Sequence, residues 1–509
     1  MNKSFFFQII YLFILGGLSS FSLPPFDHYI INFITFSLFF IFLFKKKKYL
    51  INKKISFFYG WSFGFGYFIT NLYWISISLS FDQNFSVLIP FTIILIPAFL
   101  SIFYGFATCL FLIFKKEDLI SSFFLFPLLM GMVEVLRGYL LTGFPWNLIG
   151  YSFSSSLEMI QIVSVIGTYA FNIFCITFFI IPSILILRKN KNEFIFFIII
   201  LIIPIFFFNY GYFKIKKSKT IDYEKKDFTI RIIGSNISLE RFYRIGDAQS
   251  ILQELIEISR PNLKKNIFFI WPEGIIPNTN QDELIKFKEI FDNNFNKNHL
   301  IGMGINSKTQ DEKFYNTFSF YDSELNLINS YQKVNLVPFG EFLPFEKLFQ
   351  KFGAKALTNN YQSYSSGLSR DIIKLDNDFF SIKFLPMICY EIIYSGQISK
   401  NNDFDLIINI SEDGWFGKSI GPKQHFVHSI FRAIESGKYV LRSANNGIAG
   451  IIDPIGNIEK KIEFGETGFL DFEKQKKFKR TYFSKYGNMI ILPVVLLYLC
   501  LFILFTRKK

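Results

Sequence analysis

Three side chains in the second half of the chain have the types that acyl transfer through a thiol requires: a nucleophile, a base that takes and returns its proton, and a fixed positive charge near the developing oxyanion. Cys389 follows the run Ser381-Ile-Lys-Phe-Leu-Pro-Met-Ile388, so it stands where a buried strand ends and a helix beginning near Glu391 is expected. Strand ends are where α/β folds present reactive groups, and a helix N-terminus favours a thiolate. Glu273 comes directly after Ile267-Phe-Phe-Ile-Trp271, with Pro272 closing that strand, and a carboxylate so placed can act as a general base. Lys333 lies between the segments 325–331 and 334–339 and offers the cation. Each has an ordinary alternative: inert core for a lone cysteine, a surface turn for the glutamate, a solvated face for the lysine. His299, His425 and His428 are the other bases in this part of the chain, and a Cys389–His425 dyad is an alternative pairing.

Such groups need strands and helices to hold them. Within residues 220–480, β-rich runs at 228–233, 266–271, 300–305, 317–321 and 406–410 are set between helix-like stretches near 246–259, 281–295 and 422–436. About 260 residues suffice for one α/β domain with its own core. Residues 341–365 lack a clear period and read as a long loop. Its apolar side chains Phe342, Leu343, Phe345, Leu348, Phe349 and Phe352 would be costly to leave in water, so they are candidates for a substrate lid that meets a bilayer; the alternative is that they fill the domain's own core.

The rest of the chain calls for that bilayer. Of 509 residues, 51% are hydrophobic, with 70 Phe and 25 Tyr, which is too apolar for an ordinary soluble domain. Stretches long enough to cross roughly 30 Å of hydrocarbon occur near 5–22, 29–44, 56–79, 86–114, 118–141, 158–187, 193–213 and 488–506. The expectation is a polytopic α-helical membrane domain over 1–213 with seven spans, an α/β domain over 220–480, and an eighth span over 488–506. With so many spans behind it, the first is expected to be an uncleaved helix rather than a signal peptide. Lys45 to Lys48, Lys53 and Lys54, then Lys115 and Lys116, then Arg188, Lys189 and Lys191 mark alternate loops as cytoplasmic, and Arg507 falls on the same side. Parity then places 214–487 outside. Lys214, Lys216, Lys217 and Lys219 run against this, although long translocated domains tolerate such charges. The net charge of +14 sits in clusters abutting apolar runs, which disfavours nucleic-acid binding. Cys109, Cys175 and Cys500 lie in apolar runs, so no disulfide forms within the α/β segment and cysteine usage does not report the compartment.

Around the candidate triad the chain resembles a known family, the bacterial apolipoprotein N-acyltransferases, whose outer domain belongs to the nitrilase (carbon-nitrogen hydrolase) superfamily. Trp271-Pro-Glu-Gly-Ile-Ile-Pro277 is similar to the family's WPE segment, Lys333-Val-Asn-Leu-Val-Pro-Phe-Gly-Glu341 to its lysine and VPFGE segment, and Ile388-Cys-Tyr-Glu391 to its nucleophile segment. The likeness continues through Ser411-Glu-Asp-Gly-Trp-Phe-Gly417, Gly421-Pro-Lys-Gln-His425 and Arg442-Ser-Ala-Asn-Asn-Gly447. In the membrane part it includes Glu134-Val-Leu-Arg137 and Gly143-Phe-Pro-Trp146. A single triplet is weak; the ordered set beside eight apolar spans is specific.

The resemblance implies a nitrilase-like αββα sandwich, with Glu273 as general base, Lys333 as oxyanion-stabilising cation and Cys389 as nucleophile. It implies supporting roles for Glu341, Tyr390, Glu391, Trp271 and Asn316, and neither metal nor cofactor. The implied reaction moves an acyl chain from a membrane phospholipid, through a cysteine thioester, to the α-amino group of a diacylglyceryl-cysteine at a lipoprotein's N-terminus. The implied location is the bacterial cytoplasmic membrane, with the catalytic domain on its outer side. Gly234-Ser235, Val334-Asn335 and Glu412 depart from the family pattern, Glu412 replacing an asparagine. Phe242 or Tyr243 stands in for a tryptophan that the chain lacks early in the domain. Two rival readings are a membrane-tethered nitrilase-like amidase and a non-catalytic transporter or scaffold. Intramembrane Glu134 and Arg137 lend the second slight support, unless they form a structural ion pair.

Overall fold

The computed structural model describes residues 3–47, 52–81, 83–242, 247–344, 363–397 and 403–506. Helices form within all eight apolar stretches, and among the described residues six helical segments are long and apolar enough to cross a membrane: Lys3–Ser22, Phe85–Phe114, Leu119–Tyr139, Val163–Leu187, Lys191–Ser218 and Tyr482–Thr506. The other two are shorter or more polar. Ile30–Phe44 has 15 residues, and Lys53–Leu72 is diluted by glycine, serine, tyrosine and asparagine.

These helices pack through small residues, as membrane helices do when no hydrophobic force separates them from lipid. Helix Lys3–Ser19 crosses Lys53–Leu72 so closely that a Cβ on Gly66 would lie 2.0 Å from the Phe13 carbonyl oxygen. Helix Val163–Leu187 breaks at Gly167, which adopts φ 75°. The break frees main-chain donors on its C-terminal side, and Glu435 takes one: the Thr168 N–H and hydroxyl donate to its carboxylate at 3.0 and 2.6 Å. Arg432, ion-paired with Glu435 at 2.7 Å, balances that buried charge.

Glu435 belongs to the α/β part, which is built on twelve strands: β1 Tyr223–Ser235, β2 Ile267–Ile270, β3 His299–Lys308, β4 Phe314–Asp322, β5 Leu327–Gln332, β6 Ile373–Asp376, β7 Ser381–Ile388, β8 Leu406–Glu412, β9 Tyr439–Asn445, β10 Ala449–Ile452, β11 Ile458–Ile462 and β12 Gly468–Lys476. Their order is β5-β4-β3-β2-β1-β9-β8-β7-β6, with β12 on β1 and the β10–β11 hairpin on β9. β1 and β9 pair only at Gly234–Ala444 and Ser235–Asn445, so the sheet divides there into two halves that face each other.

Period-two alternation sorts the side chains. Ile230, Ile232, Phe268 and Ile270 of one half meet Phe384, Ile388, Ile408 and Ile410 of the other in a shared core. The opposite face of β1–β3 carries Ile233, Phe269 and Ile301 against Leu252 and Leu255 of helix Ala248–Ser259 and Phe291 of helix Lys288–Asn294. The outer face of β7–β9 carries Leu385, Ile407 and Val440 against Phe431 and Ile434 of helix Gly421–Ser436. This is an αββα sandwich, and its second helix layer belongs to the same hydrophobic cluster as the membrane helices, with Tyr151 and Phe171 packed against Phe431. The expected helix over 281–295 is a 3-10 segment, Gln281–Phe287, followed by Lys288–Asn294.

Gly66→Val is expected to destabilise the protein by about 1–3 kcal/mol, because the extra carbons must displace a helix backbone rather than a flexible side chain. Gly17→Ala is the contrast, since its Cβ would meet Thr70 at an ordinary 3.7 Å. Thermal unfolding in detergent should separate the two; equal melting temperatures would mean that the helix crossing is looser than described.

Candidate active site

Each candidate side chain stands just beyond a strand. Glu273 is the third residue after β2, held by Trp271, which is fully buried and donates its indole N–H to Ser259 at 2.9 Å. Lys333 follows β5, and its main-chain N–H donates to the Asn316 carbonyl at 2.9 Å. Cys389 follows β7, and Glu412 ends β8.

The charged groups meet in one cluster. The Lys333 ammonium donates to Glu273 Oε1 at 3.0 Å and to Glu341 Oε1 at 2.8 Å, and the Asn316 amide donates to the same two oxygens at 2.7 and 2.8 Å. Val337 N–H donates to Glu341 Oε2 at 2.8 Å, and Glu412 N–H to Glu273 Oε2 at 3.0 Å. Glu273 and Lys333 are buried, Lys333 being 1% exposed. Burial alone would discharge the lysine; the two carboxylates reverse that and hold it protonated far above its usual range. Each carboxylate oxygen has two lone pairs. Both of those on Glu273 Oε1 are matched by donors, whereas Oε2 has one such partner among the described residues, which leaves room for a proton.

Cys389 is buried and adopts φ 48°, a left-handed conformation that a side chain other than glycine enters only under constraint. The constraint is Glu391, fully buried, whose Oε2 accepts from Ile388 N–H at 2.8 Å. Its Oε1 accepts from the Tyr331 hydroxyl at 2.8 Å, Val334 N–H at 2.9 Å, Asn335 N–H at 3.2 Å and Arg370 at 3.1 Å. One carboxylate thus ties the Cys389 turn to the loop of Lys333. Tyr390 donates its hydroxyl to the Gly143 carbonyl at 3.0 Å, so the same turn rests on the membrane part.

The expected helix near Glu391 is a single 3-10 turn, Cys389–Ile393. It is too short to lend an N-terminal field to the thiol. Burial instead pushes the Cys389 thiol well above its usual range, the Glu273 charge adds to that, and Lys333 opposes it. Burial thus disfavours the thiolate, and forming one calls for a base.

His425, the alternative base, has its Nε2 3.3 Å from the Cys389 carbonyl oxygen, and its Nδ1 2.9 Å from Asp413 and 3.0 Å from the Arg442 guanidinium. Burial and the Arg442 charge hold its pKa below the usual imidazole range. Cys389, Asp413 and His425 offer ligand atoms within 4.8 Å of one another. Arg442 already pairs with Asp413 at 2.8 Å, holding that carboxyl well below the usual range against the effect of burial, so a cation there would meet a guanidinium. His428 contacts the Tyr151 hydroxyl at 3.1 Å, and His299 the Asn262 carbonyl at 3.1 Å, both away from the cluster.

Among the lid candidates, Phe342 and Leu343 are half-buried, and Phe345, Leu348, Phe349 and Phe352 lie outside the described residues, as does Tyr243. Phe339, within the lysine motif, is 64% exposed and was not singled out by its sequence position. Sequence reasoning also missed Arg370, Arg241 and the Arg442–Asp413 pair. Arg442 and Asp413 lie inside conspicuous motifs, but Arg241 and Arg370 sit in stretches with no local signal. Glu134 and Arg137 form a fully buried ion pair, Nε to Oε2 2.8 Å, with the Tyr104 hydroxyl on Glu134 at 2.6 Å. Arg137 also donates to the Phe144 carbonyl, so the pair shapes the loop beneath Tyr390.

The family model described as apolipoprotein N-acyltransferase N-terminal domain matches residues 15–181, and that of carbon-nitrogen hydrolase matches residues 248–473. The apolipoprotein N-acyltransferase of Rickettsia prowazekii is 32% identical over 442 residues, covering 85% of this chain and 86% of its own. That of Rhizobium leguminosarum bv. trifolii is 31% identical over 427 residues, covering 81% and 78%. That of Rhodopseudomonas palustris is 28% identical over 519 residues, covering 97% and 94%.

The electrostatics around the thiol predict opposite shifts in two variants. Glu273→Gln removes a negative neighbour and should move the pH midpoint of Cys389 alkylation by iodoacetamide downward; Lys333→Met should move it upward. If Glu273 is the base, Glu273→Gln should still lower acyl transfer on the order of 10²- to 10⁴-fold. Midpoints moving together would refute the described arrangement.

Proposed function

The chain belongs to the apolipoprotein N-acyltransferase family, and from that premise we propose that Glu273, Lys333 and Cys389 carry a two-step transfer of an acyl chain from a membrane phospholipid to a lipoprotein's terminal amine. The protein is a multi-pass membrane acyltransferase of lipoprotein N-acylation. The observation that best supports the finer reading is the buried Glu273–Lys333–Glu341–Asn316 cluster near a buried thiol on a constrained turn.

In the first step Glu273 Oε2 takes the Cys389 proton as Sγ attacks the phospholipid ester carbonyl. Lys333 faces the developing oxyanion, and the lysophospholipid alkoxide leaves with the proton from Glu273, so a thioester forms. In the second step the α-amine of the diacylglyceryl-cysteine attacks the thioester carbonyl. Glu273 takes the amine proton and returns it to the departing sulfur, giving an amide and the free thiol. Glu341 and Asn316 keep Lys333 charged and Glu273 oriented throughout. An amidase would differ at the second step, where water rather than an amine discharges the acyl-enzyme. Both proposed substrates are lipidated, which accounts for a catalytic layer that shares its core with membrane helices.

We place residues 220–480 on the outer side of the bacterial cytoplasmic membrane, between the helical segment 1–213 and the last span, because the short basic loops alternate. The exposed Phe339 beside half-buried Phe342 and Leu343 supports an apolar rim over the cleft that meets the bilayer.

Incubation with acyl-labelled phospholipid, without acceptor, should leave label on Cys389 that neutral hydroxylamine releases. Cys389→Ser should abolish turnover, since a hydroxyl is a far weaker nucleophile with a carboxylate base. Full turnover by that variant would sink the assignment.

Orientation has its own test. A phosphatase active only after export should work when fused near the exposed Lys265. Activity there from a cytoplasmic reporter instead would overturn the outer placement.

A further inference from the structure

Glu412, where the family pattern has asparagine, is buried at 2% exposure, and its two ends do different things. Its main-chain N–H is the donor to Glu273 Oε2, the oxygen with room for a proton. Its carboxylate turns the other way. Oε2 forms an ion pair with Arg241 and accepts from Asn445 at 2.7 Å, while Oε1 accepts from Gly414 N–H at 2.9 Å and Asn446 at 3.4 Å.

Arg241, also buried, gathers three loops. It donates to the Ile237 and Ser238 carbonyls at 3.2 and 3.1 Å and to the carbonyl of Gly274, the residue after the base, at 3.3 Å. Its guanidinium lies 4.3 Å from the Phe242 ring centre. Phe242 stacks on Trp415 at 5.7 Å, and Trp415 meets the edge of Phe81 at 5.8 Å, just beyond the membrane helix Lys53–Leu72. A neutral amide at position 412 needs only hydrogen bonds there; a buried carboxylate also needs a cation.

We propose that Arg241 and Glu412 are a pair of positioning residues, whose ion pair fixes the main-chain N–H that orients Glu273 and fixes the Phe242–Trp415 rings beside it. The inference rests on Glu273 being the general base. Neither residue touches the reacting atoms; together they decide which lone pair of Oε2 faces the thiol. Breaking the pair leaves one buried charge unmatched, which pulls on the 412–414 turn and on the base together.

The test uses the full-length protein in detergent micelles, with radiolabelled dioleoyl phosphatidylglycerol as donor. The rate of Cys389 acylation is measured against donor concentration and pH for Arg241→Gln, Glu412→Asn, the double variant and Glu273→Gln, with thermal unfolding alongside. Each single change is expected to lower the maximal acylation rate on the order of 10²-fold, the cost of misplacing a catalytic group by about 1 Å. Donor half-saturation should stay the same and the acidic limb of the pH profile should shift. The double variant, which buries no unmatched charge, should regain most of the rate and the wild-type limb. Singles that match wild type overturn the pairing, as does a double variant no better than the singles. A single variant that fails to fold leaves the double to decide in the same way. Glu273→Gln at the wild-type rate would instead sink the base assignment itself. An inactive Glu273→Gln beside fully active singles would sink the pairing alone.

Discussion

A lysine and two glutamates taken out of water need one another, and much of this active site follows from satisfying that need. Lys333 matches Glu273 and Glu341, Asn316 bridges the same two oxygens, and main-chain donors from Val337 and Glu412 complete the carboxylates. These donors come from the loop after β5, from the end of β8 and from within β4. The cluster can form only when both halves of the sheet are folded around it, so charge pairing and strand packing stabilise the same arrangement.

A second constraint comes from the membrane side. The Cys389 turn presses Tyr390 and Tyr394 onto the Gly143 carbonyl at 3.0 and 3.1 Å, and the loop carrying Gly143 is held by the buried Arg137. Trp146 from the same loop donates to Gln424 at 2.9 Å and stacks against His425. Glu435 takes the donors freed by the Gly167 break. A nitrilase-like layer that would otherwise face water is thereby joined to helices that face lipid. The fully buried Glu134–Arg137 pair fits this bracing role rather than a transport path.

The thiol shows how burial sets chemistry. Without a true helix behind it, Cys389 gains no dipole, and burial with the Glu273 charge nearby pushes its thiol above the usual range. Burial disfavours a thiolate, so a thiol in this setting reacts only with a base's help. The left-handed backbone at Cys389 is the local cost, and Glu391 holds it in place with five donors.

The sequence by itself determined what local patterns encode. Apolar length revealed the helices, β-rich runs revealed β1 through β4 and β8, and the order of the Trp271, Lys333 and Cys389 motifs carried the family. It also marked Glu341, Asn316 and Glu391, though not what they touch. Span length was less legible, because Ile30–Phe44 and Lys53–Leu72 lean on neighbours for what their own composition lacks. Only the tertiary structure decided the partners. Arg241 meets Glu412 across 171 positions and Arg370 meets Glu391 across 21, separations at which no periodicity carries information. It also decided that a 3-10 turn follows Cys389, since the turn is set by Glu391 reaching to Lys333's loop, a contact between distant segments that local propensity cannot register.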